Sequence, residues 1–131
     1  MGLRLDALCI DAHDPVRIAT FWAGLLDGQV VDDPVDGPAL LLDPIVGFRL
    51  RFPRTEAART GQTPRHFDLT SSSPDDQLAR VERALALGAT HHDVGQGDDA
   101  THVVLADPEG NELCIIEPGN RFLAGCGLVG A

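Results

Sequence analysis

The chain of 131 residues runs through the same order of elements twice. Asp14-Pro15 and Ser73-Pro74 are each a short polar residue followed by proline, and the two prolines stand 59 residues apart. Such a pair starts a helix: the polar side chain takes an orphan N–H, and proline has none to leave orphaned. Ile18, Phe21, Trp22 and Leu25 then recur at helical spacing, as do Leu78, Val81, Ala84 and Leu85 in the second half. Gly28 and Gly88 close the two helices. Asp75 and Asp76 suit the positive end of the second.

Strands frame each helix. Leu3 to Asp11 precedes the first, and Gln29 to Val31, Ala39 to Leu42 and Gly47 to Phe52 follow it. Arg65 to Thr70 precedes the second, and His91 to Val94, Val103 to Ala106 and Glu112 to Glu117 follow. Each half therefore reads β-α-β-β-β. Neither half can bury its helix and sheet face alone, so an α+β fold is expected. Two βαβββ modules would form one curved eight-stranded mixed sheet with the helices outside. The hollow of that sheet is where a small molecule would sit. At this length one domain is expected, with modules 1–53 and 64–118 and a polar linker 54–63. The Gly-rich tail 119–131 would cover a sheet edge, assist a second subunit or stay disordered.

Alternation along the strands nominates residues for the hollow. Phe48, Leu50 and Phe52 share one face, which leaves Arg49 and Arg51 on the other. Two guanidiniums on that face suit a carboxylate, a phosphate or an enolate oxygen, or else pair with Asp68, Glu112 or Asp11. Phe67 and Leu69 oppose His66, Asp68 and Thr70. His66 is either an ordinary hydrogen-bonded histidine or a base, oriented by Asp68 about 7 Å along the strand. Trp22 belongs to the core stripe of its helix, with ligand stacking as the alternative. His91, Asp93 and His102 would gather on one face of a hairpin, either as a metal-binding group or as solvated side chains.

Charge and cysteine content narrow the class. Twenty acidic residues against 10 basic ones leave a net charge of −10, which argues against nucleic acid and anionic membranes. No run of about 18 apolar residues exists, and the N-terminus lacks a signal-peptide core. Cys9, Cys114 and Cys126 are odd in number and lack metal-type spacing, which suits a reduced, cytoplasmic protein. Phosphate loops, nucleophile elbows, C-x-x-C pairs and H-E-x-x-H helices are all missing from the sequence.

Thr101 to Pro118 reads as a strand, a tight turn and a second strand, with Asp107-Pro108-Glu109-Gly110 supplying the turn chemistry. Glu112, Cys114 and Ile116 alternate with Leu113, Ile115 and Glu117. This strand, D-P-E-G-N turn and strand resembles the last hairpin of the glyoxalase and bleomycin-resistance proteins, the vicinal oxygen chelate superfamily. Within it the chain is most similar to the glyoxalase-like domain group, over nearly its whole length.

The resemblance implies a paired βαβββ fold, dimerisation and a site in the hollow. Metal-binding members of the superfamily place His or Glu ligands on the first and last strands of each half. Those positions fall here at Ala7, at Arg49 or Arg51, at His66 and at Cys114. One His and one Cys are left where about three protein ligands are needed. No divalent metal is therefore expected, and no other cofactor. The expected function is small-molecule binding through Arg49, Arg51, His66, Cys114, Trp22 and His102. The alternative is a metal-independent lyase, isomerase or cyclase. There His66 or Asp68 would act as base, with the arginines stabilising an oxyanion.

Overall fold

The computed structural model describes residues 2–43, 45, 47–58, 66–92 and 102–116. The chain divides into two compact units, residues 1–61 and 62–131. In the first, β1 (Ala7–Cys9), α1 (Pro15–Leu26), β2 (Gln29–Asp33), β3 (Gly37–Asp43) and β4 (Phe48–Arg51) follow in order. The second unit repeats the series as β5 (His66–Thr70), α2 (Pro74–Ala86), β6 (Thr90–His91), β7 (His102–Ala106) and β8 (Glu112–Ile116). Among the described residues the eight expected strands are present, as two four-stranded sheets ordered β1-β4-β3-β2 and β5-β8-β7-β6. In each, the first strand pairs parallel with the last, and the remaining pairs are antiparallel. The repeat read from the sequence is thus a repeat of topology. The tail 119–131 and the expected strand ends at 93–94 and 117 lie outside the described residues.

Helix α1 begins as its sequence dictates. Asp14 Oδ1 accepts from the Arg17 N–H at 3.1 Å, and Pro15 opens the first turn. Its far end differs from expectation. Asp27, not Gly28, takes the left-handed conformation, at φ 55°. Gly28 is needed for space instead: a Cβ there would stand 2.6 Å from Leu40 Cδ1. That close approach seats the end of α1 on β3. Ile18, Ala19, Phe21, Trp22 and Leu25 are buried along the helix, and Leu40 and Leu50 are buried in the sheet. Phe21 and Trp22 meet edge to face, with ring centroids 5.4 Å apart. Each such side chain contributes about 1.5–3 kcal/mol by leaving water.

Pairing along β1 continues past its formal end. Ile10 N donates to Arg51 O, Ala12 N to Pro53 O and Thr55 N to Ala12 O. Residues 53–55, expected to begin a linker at 54, are therefore tied to the first unit's edge.

In α2, Ser73 caps the Asp76 N–H, and Asp75 and Asp76 occupy the first turn. Val81 and Ala84 are buried, but Leu78, expected in the apolar stripe, is 61% exposed. Gln77 turns inward in its place and donates from Nε2 to Ile115 O on β8. A polar side chain on the inner stripe is tolerated there because its amide finds a backbone acceptor.

The β7–β8 turn follows its sequence closely. Asp107 Oδ1 accepts from the backbone N–H of Glu109 and of Asn111, and Oδ2 accepts from Asn111 Nδ2. Gly110 takes φ 85°, which its missing Cβ allows. Asp107 and Asn111 are both buried, so the turn carries its own polar core.

Candidate functional site

Register settles which side chains share a face in the first unit. Leu8 pairs with Leu50 and Leu50 with Leu40, and Leu40 is the residue that meets the end of α1. The opposite face therefore carries Ala7, Cys9, Val31, Asp33, Ala39, Leu41, Arg49 and Arg51. Both arginines are side by side there, as the alternation of β4 requires.

Their partner is one that sequence reading missed. Asp33, at the end of β2, is buried to 2% exposure. Its Oδ2 accepts from Arg49 Nη1 and from Arg51 Nε, each at 3.0 Å. Its Oδ1 accepts from the Val35 N–H at 2.8 Å. That backbone bond, ahead of the Arg51 and Arg49 guanidiniums, holds the Asp33 carboxyl at about 2 against the opposing cost of burial, where 3.8 is usual. Asp33 in turn pushes the Arg51 pKa up, assisted by Asp6, whose Oδ2 lies 3.2 Å from Arg51 Nη2. Asp33 ends a strand two places from β4, with Gly37 beside it in register on β3 and Ala39 in register with Arg51.

The second unit carries a polar face of its own. His66 pairs in register with Glu112, and Asp68 with Cys114. His66 Nε2 stands 3.6 Å from Asp68 Oδ1, and His66 Nδ1 stands 3.9 Å from Glu112 Oε2. His92, just past β6, places Nε2 3.7 Å from Glu112 Oε1. These are ion-pair distances, longer than hydrogen bonds. His66 and Asp68 are each about half exposed at the side chain, while the Glu112 side chain is only 14% exposed. Cys114 is buried beneath them. Burial first, then the Asp68 and Glu112 charges, push its thiol pKa up, so it stays protonated at neutral pH.

The remaining candidates are placed differently. Trp22 is 1% exposed and belongs to the core under α1, so the stacking role is corrected: no face of the indole is offered outward. His91 pairs with Leu105, whereas His102 pairs with Ile116, and His102 and Leu105 stand three residues apart on β7. The two histidines therefore occupy backbone register positions of opposite parity, not the one face expected of them; Asp93 lies outside the described residues. His92 and Glu112 were missed as a pair. The signal was present, since a residue past β6 must alternate away from His91 toward the face of Glu112.

Residues 7–116 match the glyoxalase-like domain family, and the chain belongs to that family. A glyoxalase/bleomycin resistance protein/dioxygenase family enzyme from Burkholderia phytofirmans shares the fold, with 19% identity and a TM-score of 0.69 over 88% of this chain and 98% of that one. The oxidase ChaP-H2 is 25% identical, with a TM-score of 0.60 over 91% of this chain and 96% of that one. The fosfomycin resistance protein FosX from Mesorhizobium loti is 15% identical, with a TM-score of 0.63 over 94% and 98%. No curated protein matches the chain.

A FosX structure from Listeria monocytogenes holds manganese(II). The residues here fit such an ion poorly. Ala7 has no donor atom and Arg49 and Arg51 repel a cation, which leaves His66 and Cys114 of the expected positions. Among the described residues no group of three His, Cys, Asp or Glu side chains is placed to hold a metal.

Proposed function

We propose that this chain is a metal-independent, small-molecule-binding member of the glyoxalase-like family, with Arg49 and Arg51 as its principal ligand-binding residues. The observation that carries this reading is the pair of guanidiniums fixed side by side by one buried carboxylate. A rigid fork loses little entropy on meeting a ligand, which is what a binding site needs. The donor chemistry at positions 7, 49, 51 and 114 supports binding without a divalent ion. Cytoplasmic location and assembly as a homodimer complete the reading. No helix among the described residues is long and apolar enough to cross a membrane.

A thermal-shift screen of metabolites and antibiotics tests the binding, since a ligand of the folded state raises the melting temperature. Hits are expected with the natural chain and lost in Arg49→Ala/Arg51→Ala. Hits that survive the double substitution would move the site elsewhere. Light scattering tests the dimer.

A second reading is favoured by the acid and imidazole groups of the second unit. His66, with Asp68 beside it, would act as a proton-transfer base in a lyase or isomerase reaction. Two of the structural neighbours are enzymes by name, one of them an oxidase. In that case His66→Ala abolishes turnover and leaves ligand affinity nearly intact. Loss of both together returns the residue to binding.

A further inference from the structure

Each guanidinium carries five N–H donors. Two of Arg49 are engaged, by Gly47 O and Asp33, and two of Arg51, by Asp33 and Asp6. Among the described residues, Arg49 Nη2 and Arg51 Nη1 have no hydrogen-bond partner. Both side chains are about one quarter exposed, at 26% and 23%, so those donors can meet a ligand. Asp33 and Asp6 together balance the two positive charges, but Asp6 is 55% exposed at its side chain, so water screens its share of the attraction. All ten basic residues of the chain are arginines, and these two share a carboxylate.

We infer that Asp33 is a positioning residue, which locks Arg49 and Arg51 into one fork whose ligand is an oxyanion, a carboxylate or a phosphate. This rests on the binding role given to the two arginines and adds the chemical class and the residue that enforces it. Asp33 takes Arg49 by a terminal nitrogen and Arg51 by Nε, so the two planes are held in a fixed relation. Such planar, paired donors match the paired oxygens of a carboxylate or phosphate. Asp33 would also repel an anion at long range. Its two effects have opposite signs, and that makes the inference testable.

The test follows the arginine Nε–H signals by NMR during titration of the full chain. Inorganic phosphate and acetate are the separate probes, at constant ionic strength. Saturable shifts at Arg49 and Arg51, with none at Arg54, are expected for at least one probe, and the tighter probe names the class. Asp33→Asn is expected to weaken binding about tenfold even though it removes a negative charge, the loss of one charge-assisted bond. Asp6→Asn is expected to leave binding unchanged or tighter. Unchanged or tighter binding in Asp33→Asn would overturn the positioning role. If that variant does not fold, Arg49→Lys and Arg51→Lys decide. Each keeps the charge and loses the fork, so undiminished binding overturns the inference and a tenfold loss supports it. A neutral compound that stabilises the chain while neither anion binds would overturn the oxyanion class and leave the binding reading standing.

Discussion

Asp33 Oδ2 lies 3.0 Å from Arg51 Nε, a contact that spans from β2 to β4 over the intervening β3. The residue on β3 in register with Arg51 is Ala39, which is fully buried. A methyl group leaves the carboxylate and the guanidinium room to meet. The pairing thus depends on three residues on three strands.

Ala39→Leu should break it. The larger side chain would stand between Asp33 and Arg51, and overpacking costs about 1–3 kcal/mol. Urea unfolding is expected to show the lower stability, and the arginine Nε–H signals of residues 49 and 51 should move toward those of solvated arginine. An unchanged Arg51 signal would place Ala39 off the path between them.

Acid should loosen the first unit in a defined window. The Asp33 pKa is depressed to about 2 from 3.8, so its stabilising contribution is complete above the unfolded value and is lost as pH falls through the folded one. Asp76, lowered by the Ser72 backbone N–H and by Arg80, gives a loss of the same sign in the second unit. The melting temperature is expected to fall between about pH 4 and pH 2. Asp33→Asn should be less stable at neutral pH and flatter over that window, and an equally steep fall in the variant would count against this assignment.

The β7–β8 turn should be sensitive at a position with no catalytic candidate. Asn111→Ala removes the amide that donates to Asp107 Oδ2 in a buried place. Leaving that oxygen without its partner should cost about 1–3 kcal/mol, measured as a lower urea midpoint at unchanged slope. A loss below about 0.5 kcal/mol would mean water replaces the amide freely.

Thiol labelling should separate the cysteines by burial. Cys9 is exposed and Cys114 is buried with its pKa pushed up. With Cys126, outside the described residues, replaced by serine, one thiol is expected to react quickly with a maleimide at neutral pH and one only after denaturation. Two fast thiols would show that the β5–β8 face opens readily.

Much of the fold was legible because its signals are local. The proline-led helix starts depend on two adjacent residues each, and the D-P-E-G-N turn closes on itself through Asp107 and Asn111. Strand alternation likewise puts Arg49 with Arg51 and His66 with Asp68. Errors arose where a residue's neighbour is far away in the chain. Leu78 looked like core by spacing, but Ile115 O across the unit recruits Gln77 instead. Gly28 looked like a conformational cap, yet Leu40 sets its requirement.

From the order of residues alone came the two βαβββ repeats, the family and the faces on which Arg49, Arg51, His66 and Asp68 stand, since period and turn chemistry act over a few residues. Partnership was decided only in three dimensions. Asp33 finds Arg49 and Arg51, and Glu112 lies between His66 and His92, because strand order sets which distant side chains become neighbours. Strand order depends on long-range hydrogen bonding and on burying one face of each sheet, and no short stretch of sequence encodes either.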